Sequence, residues 1–161
     1  MIVVGVDGSP GSDAALRWAL AEAKLRGVPL RAVNAYEVPQ LPISGPLVGA
    51  PGVFASGATE DDVERLRSAS VSEAERILED ALARMGREAT DGIEIESAAV
   101  EGPAAQALID SARGADLLVL GSRGHGGFVG LLLGSVSQKA VQHPPCPVVI
   151  LPPPEEQENT S

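Results

Sequence analysis

The sequence predicts an α/β fold, an open parallel sheet of five strands covered by helices. Three observations carry that expectation. Short apolar runs alternate along the chain with longer stretches of helical periodicity, and strands separated by helices pair in parallel through right-handed crossovers. Hydrophobic residues make up 44% of the 161 residues but aromatic ones only 2%. The core is therefore built from Ala, Val, Leu and Ile, which suits helices packed closely on a parallel sheet. Glycines cluster directly after the apolar run Asp116-Leu117-Leu118-Val119-Leu120, where a strand hands over to a turn.

Each element has its own signal. Residues 1–7 read as the first strand. Ser9 and Pro10 open a helix, serine as N-cap and proline at the first helical position, and Gly27 closes it after Arg26. Ala15, Ala19 and Ala23 give that helix a small-residue face for close packing, with Trp18 as a packing residue. Residues 29–36 form the second strand. From 39 to 59 Pro, Gly, Ser and Ala dominate, which predicts a long flexible loop. Residues 60–87 show helical spacing (Val63, Leu66, Ile77, Leu78, Leu82) and a solvated face of mixed charge.

Residues 93–100 read as the third strand, with Ile93 and Ile95 alternating against Glu94 and Glu96. Gly102-Pro103 opens a helix that runs through Ala112 and is followed by Gly114. Residues 117–120 are the fourth strand and 136–143 the last helix, stopped by Pro144-Pro145. Residues 147–151 are the fifth strand. The expected domain covers 1–153, and 154–161 form an acidic, disordered tail.

Composition excludes several classes. A net charge of −10 argues against a nucleic-acid partner, because sequence-independent binding rests on basic patches that neutralise phosphates. The single cysteine, Cys146, excludes an internal disulfide and a multi-cysteine zinc site and reads as a small apolar packing residue. No basic leader precedes the first strand, and no apolar run approaches membrane-spanning length. The expectation is a soluble, cytoplasmic protein with no membrane partner.

The glycine region GSRGHGGFVGLLLGSVSQ carries the functional signal. Glycines past a strand's carboxyl end let the backbone approach a ligand with no Cβ in the way. Gly134-Ser135 stands where a helix begins, and free N–H groups with the positive end of a helix dipole suit a phosphate. No Lys-Ser or Lys-Thr follows, so it is not a P-loop, and the glycines are too far apart for the dinucleotide pattern. Asp7 is also at a strand's carboxyl end, where open sheets bind ligands.

On these residues the chain resembles the universal stress protein family, in its ATP-binding subgroup. The resemblance rests on Val3-Val4-Gly5-Val6-Asp7-Gly8-Ser9, Val100-Glu101-Gly102-Pro103, residues 116–124, Leu133-Gly134-Ser135-Val136-Ser137 and Cys146-Pro147-Val148-Val149-Ile150. The family's nucleotide motif is glycine, two residues, glycine, nine residues, glycine, then Ser or Thr. Gly121, Gly124, Gly134 and Ser135 match it without a gap.

The resemblance implies a single open five-stranded sheet of Rossmann-like type, helices on both faces, in strand order 3-2-1-4-5. It implies that Asp7 contacts the ribose and phosphate region and that Ala35 lies against adenine with its backbone. Val100 would close the pocket, and Gly121 and Gly124 would shape the loop over ribose and phosphates. Gly134, Ser135, Val136 and Ser137 would hold phosphates through N–H groups and hydroxyls. Arg123 is counted with this set, although it and His125 read more readily as exposed loop side chains than as leaning toward the phosphates. Simpler roles stand beside these: Asp7 as a cap of the following turn, Ser135 and Ser137 as caps of the last helix.

The expected function is that of an ATP-binding regulator or binding module of the stress response, with Mg2+ (or Mn2+) held through the phosphates and by water. The alternative is a slow ATPase or an ATP-dependent transferase. Phosphoryl transfer needs a residue that orients the nucleophile, and none has a claim, so no catalytic residue is assigned. Ser9-Pro10-Gly11-Ser12-Asp13-Ala14 matches the ATP pyrophosphatase loop only in part, since proline replaces a glycine. A structural protein without a ligand would not need the glycine motif. The fifth strand, apolar and at an edge, invites pairing with a second copy, and the resembled family dimerises in this way, so a homodimer through 147–151 is expected.

Overall fold

The computed structural model describes residues 1–40, 59–124 and 133–152. The expected loop 39–59 apart from its ends, His125 and the expected tail lie outside the described residues. Five parallel strands form one sheet: β1 (Ile2–Gly5), β2 (Leu30–Tyr36), β3 (Ile95–Glu101), β4 (Leu117–Gly121) and β5 (Val148–Leu151), in the order β3-β2-β1-β4-β5. The helices are α1 (Pro10–Arg26), α2 (Glu60–Met85), α3 (Arg87–Thr90), α4 (Ala104–Ser111) and α5 (Ser135–Gln142). The strand order reverses between β1 and β4, which is where a ligand crevice opens in sheets of this kind.

Alternation along the central strands sorts the helices into two layers. Ile2, Val4 and Val6 pack with Ala15, Ala19 and Ala23 of α1 and with Leu78 and Ala81 of α2. Val3, Val33, Leu118 and Leu120 pack on the other face with Leu108 of α4 and Ala140 of α5. Ala15, Ala19 and Ala23 are at most 1% exposed, so the helix backbone lies close to the sheet. Arg84 of α2 grips Asp13 in the first turn of α1 through two hydrogen bonds of 2.9 Å.

Element ends depart from the sequence reading for local reasons. β1 stops at Gly5, not Asp7, because the chain turns at Gly8, whose φ is +83°. α1 begins and ends as read: Ser9 caps it by accepting from Ser12 N, and Gly27 closes it at φ +65°. α2 ends at Met85 because Gly86 leaves the helical region (φ +78°, ψ 164°), and the short α3 was not anticipated. β3 lies one to two residues later than expected, at Ile95–Glu101. α4 begins at Ala104 behind Pro103. α5 begins at Ser135 with Gly134 as its N-cap, so Ser135 and Ser137 are first-turn residues and not the cap.

Candidate functional site

A cavity of about 540 Å3 opens at the carboxyl ends of the central strands, within the size range of ligand sites. The structure brings Asp7, Ala35, Gly121, Arg123, Gly124 and the first turn of α5 from Gly134 to Ser137 to its wall. Val100 is not among the lining residues. It pairs with Ala35 from the next strand out and packs on the second core layer.

Asp7 is fixed by the turn that follows it. Its Oδ1 accepts from Ser9 N at 3.0 Å and from Ser9 Oγ at 2.6 Å. The capping geometry is therefore present together with a place in the cavity wall. Its Oδ2 lies against Gly124, where an added Cβ would collide with it. A Cβ on Gly121 would lie 2.8 Å from the backbone of Gly11, and one on Gly11 would lie 2.7 Å from Arg123 O. These glycines let the loop after β4 rest on the first turn of α1.

Three helix starts reach the cavity wall, through Ser12 of α1, Ala104 of α4 and Gly134 to Ser137 of α5, and α1 and α5 differ in how open they are. At α1, Pro10 has no N–H, Ser12 N donates to Ser9 Oγ, and Asp13 N donates to Ser9 O. The Arg123 carbonyl lies where a side chain at position 11 would begin. In this self-capped turn the N–H groups of Ser12 and Asp13 are already taken, and Pro10 lacks the donor that the partial pyrophosphatase match would require.

At α5 the N-cap Gly134 offers no side chain, and among the described residues nothing accepts from the N–H groups of Ser135, Val136 and Ser137. Gly134 N is anchored on Ser122 O at 2.7 Å, and Ser137 Oγ donates to Gly121 O at 2.7 Å. The loop and the helix start are thus locked together with three donors directed past the cap. Gly134 has φ −71°, so its turn needs no left-handed backbone. Its missing Cβ faces ordinary contacts, Ser122 O at 3.5 Å and Arg123 Cα at 3.6 Å.

The sequence reading missed Asn34, Ser12 and the apolar wall of Leu108, Leu120 and Leu133. Asn34 carried a signal, a lone amide inside an apolar strand. It is 6% exposed and donates from Nδ2 to Val6 O at 2.7 Å. Leu108 carried none, because only the packing of α4 over β2 brings it to the cavity.

Among the described residues no group of three or more His, Cys, Asp or Glu is placed to hold a metal ion. Asp7 is the one acid and Arg123 the one cation among the described lining residues. Cys146 is half-buried against the second core layer. Burial, followed by the Asp116 carboxylate, pushes its thiol up, which suits packing and not nucleophilic chemistry. No described helix is long and apolar enough to cross a membrane.

A parallel sheet with this order and a cavity at its switch point is an α/β domain of Rossmann-like type. The model of the Universal stress protein family matches residues 1–152, and the chain belongs to that family. It is 35% identical over 150 residues to universal stress protein Rv2623 of Mycobacterium tuberculosis, covering 93% of this chain and 46% of that protein. It is 36% identical over 153 residues to a universal stress protein of Thermus aquaticus, covering 93% of this chain and 96% of that protein. The chain thus spans about half the length of the mycobacterial relatives it matches. A solved universal stress protein in complex with cAMP is 29% identical, with a TM-score of 0.61 over 93% of this chain and 94% of that one.

Proposed function

We propose that this domain is an ATP-binding universal stress protein, a nucleotide-dependent regulator or binding module of the stress response. The observation that carries the reading is the open start of α5: three N–H groups with no partner among the described residues, facing a cavity of about 540 Å3 with an apolar wall. Backbone donors at a helix start suit phosphate, and Leu108, Leu120 and Val33 offer an apolar seat for a base. The cAMP complex of a relative supports an adenine nucleotide as the ligand class.

In this reading Gly134, Ser135, Val136 and Ser137 hold phosphates, while Gly121, Gly124 and Arg123 border them and Asp7 faces the ribose. Ala35 meets the adenine edge, with Val100 behind it. Mg2+ or Mn2+ enters with the nucleotide, held by phosphate oxygens and water. The one carboxylate among the described lining residues, already bonded to Ser9, is too few ligands for a dedicated metal cage. The domain spans 1–153 with a dispensable tail, and two copies pair through β5.

The test is mass spectrometry of the denatured, purified protein for co-purified nucleotide, followed by calorimetric titration with ATP and Mg2+. Saturable binding that needs Gly134 is the expected result. A protein that neither retains nor binds adenine nucleotides would end the proposal.

A further inference from the structure

Asn34 interrupts the sheet at the cavity, and the bonding pattern shows what the interruption does. Leu30 N donates to Glu94 O on the β3 side, whereas Val33 O accepts from Val6 N on the β1 side. Strand bonds alternate sides residue by residue, so Ala35, like Val33, turns its N–H and C=O toward β1. The β1–β2 register pairs Gly5 with Val33. Carried one residue further, that register would have Ala35 N donate to Val6 O. The Asn34 amide takes that carbonyl instead, at 2.7 Å. The ladder stops, and among the described residues nothing bonds to the N–H or C=O of Ala35, which lines the cavity.

We infer that Asn34 is a positioning residue for the ligand's base: by occupying Val6 O it keeps the backbone donor and acceptor of Ala35 open to the cavity. This rests on the adenine-nucleotide reading above. A donor beside an acceptor on one extended residue complements a base edge with an acceptor beside a donor, as N1 and the 6-amino group of adenine present. A 6-oxopurine presents the reverse order and is disfavoured. The same bond anchors the residue before Asp7, so one buried amide registers the base edge and the first-strand carboxylate together.

Two measurements test this. The first is amide hydrogen exchange of the nucleotide-free wild type followed by NMR. The Ala35 amide is expected to exchange quickly between protected β2 neighbours, and slow exchange at Ala35 overturns the inference. The second is calorimetric titration of wild type and Asn34→Ala with ATP and with ITP. Wild type is expected to prefer ATP. The variant is expected to lose about three- to tenfold in ATP affinity, the value of one hydrogen bond, with ITP nearly unchanged, so the ratio shrinks.

Equal losses for both nucleotides, or no loss, overturn the role of Asn34 while the nucleotide reading stands. A wild type without ATP preference overturns it as well. A wild type that binds neither nucleotide overturns both. The exchange rate and the wild-type ratio are read without the variant, so they decide even if Asn34→Ala does not fold.

Discussion

Oδ2 of Asp7 occupies the space in which a side chain at position 124 would begin. The carboxylate has little freedom to give way, because its other oxygen is held by both the N–H and the hydroxyl of Ser9. Glycine at 124 thus makes room for the first-strand acid, and the two strand ends close one cavity wall. Gly121 and Gly11 repeat the arrangement, backbone against backbone.

Gly124→Ala is expected to push Asp7 off Ser9. Overpacking of this kind costs about 1–3 kcal/mol, to be read as a lower melting temperature together with weaker ATP binding. Asp7→Ala in the same background should recover the melting temperature, because the colliding atom is gone. No recovery would show that Gly124 is constrained by something other than Asp7.

Gly134→Val separates folding from binding. Position 134 has an ordinary φ and no close neighbour for a Cβ, so the melting temperature should barely move. Binding should suffer, because the side chain fills the space before the open N–H groups. Loss of two phosphate hydrogen bonds at roughly 1.5–3 kcal/mol each weakens ATP by about a hundredfold or more. Ser135→Ala should cost near one such bond and Arg123→Ala least. Titration of the three variants gives the order, and normal binding by Gly134→Val with none by Arg123→Ala would refute the backbone cradle.

The start of α2 makes a pH-dependent contribution. Thr59 and Asp62 form a reciprocal capping box, and the backbone N–H of Thr59, then its hydroxyl, hold the Asp62 carboxyl below its ordinary 3.8. A carboxylate whose folded pKa is depressed stabilises above its unfolded pKa, and the effect disappears as pH falls through the folded value. Thr59→Ala should cost about 1 kcal/mol near neutral pH. Urea unfolding from about pH 7 to about pH 3 should show the gap to wild type narrowing as Asp62 protonates. A gap that widens toward acid would contradict the capping account.

β5 is an edge strand whose four residues are all half-buried. An uncovered apolar edge invites pairing with a second copy, and light scattering at micromolar concentration should report a homodimer. Val149→Lys should shift it toward monomer. Val149 also packs under the first core layer, so circular dichroism must show the variant folded. A monomeric wild type would decide against the interface.

Residues 154–161 hold few apolar side chains and no periodicity, so they can bury little surface. Deleting them should leave melting temperature and ATP affinity unchanged. A clear loss of either would show that the tail docks on the domain.

The elements and their kind were legible along the chain alone. The alternation of strand and helix, the Ser9-Pro10 start and Gly27 stop of α1, and its alanine face are local properties, written in propensity, capping and periodicity. Strand ends slipped by one or two residues, and Gly86 split a helix that the pattern ran together, because a single φ decides such boundaries. The glycine spacing pointed to the end of the sheet where the cavity opens. It did not disclose why each glycine is there. None of Gly121, Gly124 and Gly134 has a positive φ; two of them are small because Gly11 and Asp7 occupy the neighbouring space, and those neighbours lie more than a hundred residues away in sequence. Likewise Leu108 reaches the cavity only through the packing of α4, and Asn34 matters only because β1 leaves the sheet beside it. Contacts between distant segments are set by how the layers close over the sheet, and no local pattern encodes which atom will stand opposite.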